Sequence, residues 1–208
     1  MVEPSKPRAH APATLRNRDA ILAVLRRVLP EEGLLLEIAS GTGEHAAFMA
    51  PRLGPGLILQ PSEGRVGALA DIDHHASAAD CPRIRPAMLL DASAQTWPIT
   101  RADAVFCANM IHIAPWAVAQ GLFKGAARCL AAGAPLILYG PLKRHGHHTA
   151  PSNEAFDAGL RAKDERWGVR CLEGEVLPLA TDSGFELQEI VAMPANNLTV
   201  VFRRIHSL

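Results

Sequence analysis

The sequence has no excess of charge of either sign. Its 208 residues contain 21 lysines and arginines and 21 aspartates and glutamates, so the formal net charge is zero. Proteins that bind nucleic acids usually show a strongly basic patch or total, so we expect no nucleic-acid partner. No apolar run approaches the roughly 20 residues that a membrane-spanning helix needs, and the N-terminal segment lacks the apolar centre of a signal peptide. These absences predict a cytoplasmic protein without a membrane partner.

Cysteine is scarce, and its spacing excludes the common cysteine motifs. The four cysteines, Cys81, Cys107, Cys129 and Cys171, are far apart and form no CxxC pair. In a reducing compartment such residues are typically small, buried apolar side chains. We therefore expect neither disulfides nor a zinc site.

Helical and strand-like patterns alternate along the chain. An amphipathic pattern predicts a helix over Ala13–Leu29, stopped by Pro30. Further helices are predicted over Glu44–Leu53, Gly64–Ala79 and Pro115–Ala131. Short apolar runs predict strands over Leu34–Ala39, Gly56–Gln60, Ile84–Leu90, Ala102–Ala108 and Ala134–Tyr139. This alternation indicates an α/β fold with a doubly wound, mostly parallel sheet.

Two final strands, Phe185–Val191 and Leu198–Arg203, break this alternation. They are separated only by a short stretch containing MPANN, whereas a parallel crossover needs about a dozen residues or more. The two strands must therefore be antiparallel. Because no repeat or low-complexity linker interrupts the chain, we predict a single domain over residues 1–208, in which residues 1–30 form an N-terminal extension and helix.

A glycine-containing turn follows the first strand. Gly41, Gly43 and Ala46 fit the G-x-G-x-x-G/A pattern of dinucleotide sites, and Glu63 follows at the distance of the acid that binds ribose hydroxyls. This pattern alone would favour an NAD-dependent oxidoreductase. Glu37 favours another ligand, because a carboxylate four residues before Gly41 would repel a pyrophosphate but would tolerate a cationic sulfonium or ammonium group.

Glu37-Ile-Ala-Ser-Gly41-Thr-Gly43 resembles the first motif of the class I S-adenosylmethionine-dependent methyltransferases, an acidic residue followed by a glycine turn. Ala39 departs from that motif, since it replaces the first glycine. The resemblance implies a seven-stranded Rossmann-like sheet of order 3-2-1-4-5-7-6 with an antiparallel last strand. It also implies S-adenosylmethionine as cofactor, with Glu63 at the ribose, Asp91 and Ala92 at the adenine, and the segment from Asn109 at the methionine part.

A narrower resemblance covers nearly the whole chain. The stretches LLLEIASGTGEHA, ANMIHIAPW and MPANNLTVVFRR are similar to a family of small methyltransferase-like proteins of unknown function, which includes the vertebrate methyltransferase-like protein 26. The full set of cofactor-binding residues that the two resemblances imply is Arg16, Asn17, Glu37, Ala39, Ser40, Gly41, Gly43, His45, Gln60, Pro61, Ser62, Glu63, Asp91, Ala92, Asn109, Met110 and Ile111. Several have a plainer interpretation as well: Glu37 as an acid that caps the turn, for example, and Arg16 and Asn17 as solvated polar residues on a helix.

Two further residues are candidates for catalysis. His112 lies just beyond the fourth strand, where a histidine can serve as a general base or can simply pack. Tyr139, the only tyrosine, ends the fifth strand at the same edge of the sheet and can orient a substrate or pack.

The histidine-rich run from Lys143 to Asn153 does not predict a metal site. His145, His147 and His148 are tightly spaced and lack a cysteine or carboxylate partner in a standard ligand pattern. We expect a lid loop over residues 143–153 instead. The predicted function is methyl transfer to a small-molecule acceptor. The alternatives are an NAD-dependent oxidoreductase and a non-catalytic binding protein with the same fold.

Overall fold

The computed structural model describes residues 12–205. Its α-helices are α1 (Pro12–Val28), α2 (Glu44–Met49), α3 (Val66–Ala78), α4 (Trp116–Cys129), α5 (Pro151–Lys163) and α6 (Leu177–Asp182). Its strands are β1 (Glu32–Ile38), β2 (Gly56–Glu63), β3 (Met88–Leu89), β4 (Ala104–Ala108), β5 (Pro135–Gly140), β6 (Phe185–Met193) and β7 (Asn197–Arg204). Single turns of 3-10 or π helix lie at Ala50–Arg52, Met110–His112, Leu172–Val176 and Pro194–Asn196.

The seven strands form one sheet in the order β3-β2-β1-β4-β5-β7-β6. Neighbouring strands from β3 to β5 pair in parallel, whereas β7 pairs antiparallel with both β5 and β6. The predicted fold class, strand order and antiparallel last strand are therefore confirmed. A single 3-10 turn joins β6 to β7, which is too short for a parallel crossover.

Helices cover both faces of the sheet, and each face has its own apolar core. Side chains alternate along a strand, so Leu35 of β1 packs on the face that carries α1 and α2, whereas Leu36 packs on the face that carries α4 and α6. On the latter face Phe123 meets the rings of Phe185 and Phe202 edge-on. This double coverage explains why the inner strands read as nearly continuous apolar runs.

Strand bounds around the second and third strands differ from the prediction. β2 continues beyond Gln60 to Glu63, which places Pro61 and Ser62 inside the strand. The predicted strand over Ile84–Leu90 is reduced to the two residues of β3 and a single bridge between Leu59 and Ile84. Proline has no backbone N–H to donate, and Pro86 lies in the middle of this segment, where its carbonyl accepts a hydrogen bond from the Gln60 side chain.

The segment predicted as a lid loop has two parts. Residues 151–153 belong to the first turn of α5, so the loop is shorter than expected. The Lys143 N–H donates to the Arg170 carbonyl and the Leu172 N–H donates to the Lys143 carbonyl, both at 2.9 Å. The base of the loop is thus fastened to the segment that follows α5, and closure over a ligand remains a prediction.

The cysteines match the burial expected from the sequence only in part. All four are free thiols, Cys107 and Cys129 are buried, and Cys81 and Cys171 are half-buried. None of the helices within residues 12–205 combines the length and the apolar character that crossing a membrane would require.

Candidate functional site

The carboxyl ends of β1 and β4 meet where the strand order reverses. Connections from β1 lead towards β2 and β3 on one side, and β4 leads towards β5 on the other. In open α/β sheets this switch point leaves a crevice where ligands bind. The turn between β1 and α2 and the segment after β4 both lie at this edge.

The turn after β1 depends on left-handed backbone conformations. Ala39, Gly41 and Gly43 have φ angles of 56°, 61° and 82°. Gly43 has no space for a side chain, because a Cβ there would come within 2.7 Å of the Ile72 Cα in α3. At Gly41, by contrast, a Cβ would meet no atom within 4 Å, so this part of the backbone faces open space. A ligand can therefore approach the Gly41 backbone closely.

Glu37 is enclosed in β1, with 2% of its surface exposed. Its Oε2 accepts a hydrogen bond from the Ser40 hydroxyl at 2.8 Å, and its backbone carbonyl accepts one from the Ser62 hydroxyl at 2.7 Å. Burial raises the pKa of this carboxyl group to about 7, and the Ser40 hydrogen bond opposes the rise. Glu37 is thus a buried acid that changes its charge near neutral pH.

Glu63, at the end of β2, reaches back to the glycine turn. Its Oε2 accepts a hydrogen bond from the Gly41 N–H at 3.1 Å, and its Oε1 lies 3.1 Å from the Arg65 Nε. The Glu63 carboxylate thus occupies the backbone N–H of Gly41. A pyrophosphate would need that donor and would be repelled by the carboxylate.

A first cleft, of about 320 Å³, opens beside Glu63, and we call it the acid-rimmed cleft. Its lining residues are Ile38, Ala39, Glu63, Gly64, Arg65, Leu90, Asp91, Ala92, Met110, Ala114 and Val118. Asp91 is exposed at the rim, where one carboxylate oxygen accepts hydrogen bonds from the Ser93 N–H and hydroxyl. Apolar walls between two rim carboxylates suit a flat ring with a hydroxyl-bearing sugar.

A second cleft, of about 640 Å³, opens on the other side of the segment after β4, and we call it the amide-lined cleft. Its lining residues are Arg16, Asn17, Asn109, Ile113, Tyr139, Pro141, Ser152, Asn153, Phe156, Pro194, Ala195 and Asn197. Four asparagines and a single charged side chain, Arg16, are among them. Asn109 lines this cleft and its neighbour Met110 lines the first, so one short segment borders both.

The segment after β4 begins with Asn109 in a left-handed conformation, at φ 61°. His112, at its end, is 1% exposed and lines neither cleft. Its Nδ1 accepts the Arg170 N–H at 3.3 Å, so the lone pair of that nitrogen is already used. Burial, aided by the positive charge of Arg170, lowers the pKa of His112 to about 3, so the ring is neutral at physiological pH.

Arg170 holds the same segment through hydrogen bonds. Its guanidinium donates to the carbonyls of Ile111, Ala114 and Arg166 at 3.0, 2.8 and 2.8 Å, and it lies over the Trp116 ring. The side chain is buried, with 8% of the residue exposed. A buried guanidinium needs such partners, and here two of the three, the carbonyls of Ile111 and Ala114, belong to the segment that borders both clefts.

The structure distributes the predicted site residues over three places. Ala39, Glu63, Asp91, Ala92 and Met110 line the acid-rimmed cleft. Arg16, Asn17, Asn109 and Tyr139 line the amide-lined cleft. The others line neither cleft: Glu37, Ser40, Gly41, Gly43, His45, Gln60, Pro61, Ser62, Ile111 and His112.

Several lining residues were missed by the sequence interpretation. Arg65 pairs with Glu63, Ser152 and Phe156 come from α5, and Asn197 comes from the start of β7. Only the polar MPANN turn offered a signal in the sequence, because the other residues reach the site through tertiary packing. Within residues 12–205 no cluster of histidine, cysteine and carboxylate side chains is arranged to hold a metal ion.

The sheet order and the glycine turn at the switch point define a Rossmann-like methyltransferase fold. The S-adenosylmethionine-dependent methyltransferase SibL superimposes with a TM-score of 0.76 at 18% identity, over 93% of this chain and 56% of that one. The mitomycin 7-O-methyltransferase MmcR gives 0.76 at 17% identity, over 92% and 54% of the two chains. A methyltransferase-like protein from Bacillus halodurans gives 0.68 at 16% identity, over 90% and 98%.

This chain spans just over half the length of SibL and MmcR. At such low identities the likeness shows the fold alone. Residues 8–204 match the family described as protein of unknown function (DUF938), and the chain belongs to this family.

Proposed function

We propose that the protein is an S-adenosylmethionine-dependent methyltransferase that acts on a small-molecule acceptor. The observation that carries this proposal is the pair of carboxyl groups at the glycine turn. Glu63 holds the Gly41 N–H at 3.1 Å, and Glu37 lies buried four residues before Gly41. Two acids at this point disfavour the pyrophosphate of NAD and favour a ligand that carries positive charge.

The acid-rimmed cleft suits the adenosine part of such a cofactor. The apolar walls of the acid-rimmed cleft suit the adenine, and Glu63 and Asp91 at its rim suit the ribose hydroxyls. The open backbone at Gly41 and the segment from Asn109 to Ile111 would face the methionine part. Arg16 and Asn17 line the neighbouring cleft. His45, Gln60, Pro61 and Ser62 would support the residues that contact the cofactor.

When bound, S-adenosylmethionine supplies an electrophilic methyl group on a sulfonium ion. The residues around the amide-lined cleft would hold the acceptor next to it and keep water out, and such positioning can supply most of the rate gain. Tyr139 is the side chain we assign to orientation of the acceptor. His112 does not serve as a base in this proposal, because its Nδ1 is engaged and its ring is enclosed.

The amide-lined cleft supports a small acceptor, since about 640 Å³ is the size of a typical small-molecule site. Membership in the narrower group with methyltransferase-like protein 26 and a cytoplasmic location complete the proposal. Both rest on the sequence resemblance and composition described above.

The first test is calorimetric titration with S-adenosylmethionine, S-adenosylhomocysteine and NAD. We expect the two sulfur compounds to bind and NAD not to bind. In Glu63→Gln we expect the affinity for each of the two sulfur compounds to fall about tenfold or more. The reason is that the amide group cannot accept hydrogen bonds from two ribose hydroxyls as a carboxylate does.

Glu186→Gln is the matched control, since Glu186 is an exposed acid on the distant strand β6. Its binding should equal that of the unmodified protein. Binding of NAD alone would overturn the proposal and favour the oxidoreductase alternative. Failure of all three ligands to bind would favour the non-catalytic alternative.

A further inference from the structure

Asn153, in the first turn of α5, lines the amide-lined cleft, and its NH₂ group is already engaged. The Asn153 Nδ2 donates to the Thr149 hydroxyl at 3.0 Å and to the Asn196 carbonyl at 2.9 Å. A carbonyl oxygen can only accept, so the nitrogen of the Asn153 amide, and not its oxygen, must face Asn196. An NH₂ group has two protons, and both are used here. The amide oxygen is the polar atom that this side chain still offers to a ligand.

Asn197, at the start of β7, also lines this cleft and repeats the arrangement. Its Nδ2 donates to the carbonyls of Pro194 and Ala195 at 3.0 and 3.2 Å. Both protons are again used, and the orientation of the amide is again fixed by partners that can only accept. The two asparagines form one cluster, because Asn153 binds the carbonyl of Asn196, the residue next to Asn197.

Neither amide oxygen has a hydrogen-bond donor among the residues that the structure describes. Asn153 is only 5% exposed, yet its oxygen is not wholly enclosed, and the surface that this residue lines is the cleft. A ligand that displaces water from the cleft leaves such an oxygen without a partner unless the ligand itself donates a proton. The pair therefore favours ligands that carry O–H or N–H groups.

The same cleft has apolar side chains from two elements. Ile113, after β4, and Phe156, in α5, line it with 44% and 42% of their surfaces exposed. Residues three apart in a helix lie on the same face, so Phe156 stands on the face of α5 that carries Asn153. Arg16 is the one charged side chain among the described lining residues, and it would repel a cation. Two free carbonyl oxygens in turn offer no proton to an anion, so the cleft suits a neutral ring compound.

We propose that the amide oxygens of Asn153 and Asn197 form a subsite that selects a neutral methyl acceptor bearing O–H or N–H groups. The apolar ring of this acceptor rests against Phe156 and Ile113. This inference rests on the proposed function and deepens it, because it names the chemical class of the acceptor. Both asparagines position the acceptor and do not serve as bases, since an amide does not take up a proton near neutral pH.

Calorimetry with matched ring compounds tests the selectivity in protein saturated with S-adenosylhomocysteine. Resorcinol carries O–H groups, 1,3-phenylenediamine carries N–H groups, and 1,3-dimethoxybenzene has the ring of resorcinol without a proton to donate. We expect at least one donor compound to bind about tenfold or more tightly than dimethoxybenzene, which leaves the amide oxygens unpaired. The tighter of the two distinguishes an O–H from an N–H acceptor. Equal affinity of all three, or tighter binding of the anion benzoate, would overturn the subsite.

Substitution of the asparagines assigns the selectivity to them. Asn153→Leu and Asn197→Leu each remove one amide oxygen and should lower the affinity ratio of donor compound to dimethoxybenzene about fivefold or more. Ser152→Ala is the matched control, because it changes another polar side chain of the same cleft and should keep the ratio. A distorted cleft would weaken both compounds equally and leave the ratio unchanged. An unchanged ratio in either asparagine variant would overturn the paired subsite, and so would its loss in Ser152→Ala.

The affinity for S-adenosylhomocysteine separates this subsite from the proposed function. Both asparagine variants should keep that affinity, because the subsite holds the acceptor and not the cofactor. Failure of S-adenosylhomocysteine to bind the unmodified protein would instead contradict the proposed function. The same ring compounds titrated into the unliganded protein then decide the subsite by themselves. Selective binding of a donor compound that Asn153→Leu reduces supports it, and absence of selective binding overturns it.

Discussion

A carboxyl group enclosed in an inner strand raises the free energy of the folded state whenever it is ionised. Glu37 is in this position, and its environment provides one side-chain hydrogen bond, from Ser40. Its pKa rises from the ordinary 4.5 to about 7 on folding. Folding therefore binds a proton here between these two pH values, and stability falls as the pH rises through that window.

Glu37→Gln should remove this dependence, since glutamine can still accept the Ser40 hydrogen bond and carries no charge. At pH 8 we expect the variant to be more stable than the unmodified protein by about 3 kcal/mol, the equivalent of the pKa shift. Below pH 4.5 the difference should vanish, because the carboxyl group is then protonated in both states. Urea denaturation at a series of pH values measures this difference in the free energy of unfolding.

The exposed Glu186→Gln serves again as the control for this experiment, because it removes a charge without a change in burial. An equal effect of both substitutions at every pH would show that net charge, and not burial of Glu37, is responsible. The same Glu37→Gln protein should bind S-adenosylmethionine more weakly, if the buried acid serves a cationic ligand.

At the scale of elements, the segment after β4 is held by a residue far along the chain. The Arg170 guanidinium donates hydrogen bonds to the carbonyls of Ile111 and Ala114. The Arg170 backbone N–H donates one to the His112 Nδ1. Gly140 of β5 lies against the same histidine, because a Cβ at residue 140 would come within 2.6 Å of the His112 Nε2. The segment that borders both clefts is thus fixed from two sides.

Arg170→Met should destabilise the protein by about 3 kcal/mol, because it leaves buried carbonyls without donors. Arg170→Lys should recover only part of this loss, since an ammonium group lacks the planar fork that reaches three carbonyls. The free energy of unfolding in urea provides the measurement.

Arg166→Met is the comparison, because the Arg166 side chain is exposed and pairs with Asp164 at the surface. This substitution should lower the free energy of unfolding by less than about 1 kcal/mol. An equally small loss of stability in Arg170→Met would mean that the carbonyls it contacts have other donors. Arg170 would then not fix the segment after β4.

At the scale of the whole molecule, the two apolar cores share one sheet. Consecutive residues of β1, β4 and β5 contribute alternately to the core on each face, so neither face can lose its packing alone. A protein built in this way should unfold as one cooperative unit.

Thermal unfolding followed by tryptophan fluorescence and by far-ultraviolet circular dichroism should give one coincident transition. Trp97 belongs to the core on the α4 face, whereas the dichroism reports the helices of both faces. S-adenosylhomocysteine at 100 times its dissociation constant should raise the stability by about 2.7 kcal/mol. For a chain of this size the midpoint then rises by about 5–10 °C, and in both signals equally. Separate midpoints would contradict the prediction of a single domain.

The sequence by itself determined the elements and the class of fold. Short apolar runs and helical patterns are local properties of the chain, and they located the inner strands and the helices α1 to α4 within a few residues. The spacing from Gly43 to Glu63 and the acid at Glu37 also pointed to the edge of the sheet where both clefts open. The third strand was overestimated, because the hydrophobic pattern does not register the missing N–H of Pro86.

Only the tertiary structure decided which side chains meet. The bonds from Glu63 to Gly41, from His45 to Asn17 and from Arg170 to Ile111 each join residues that are distant in sequence. Their direction, their burial and the resulting pKa shifts depend on how the helices pack on the sheet, and no local pattern encodes that arrangement. The sequence therefore pointed to this edge of the sheet, and the packing of the fold determined which side chains meet there.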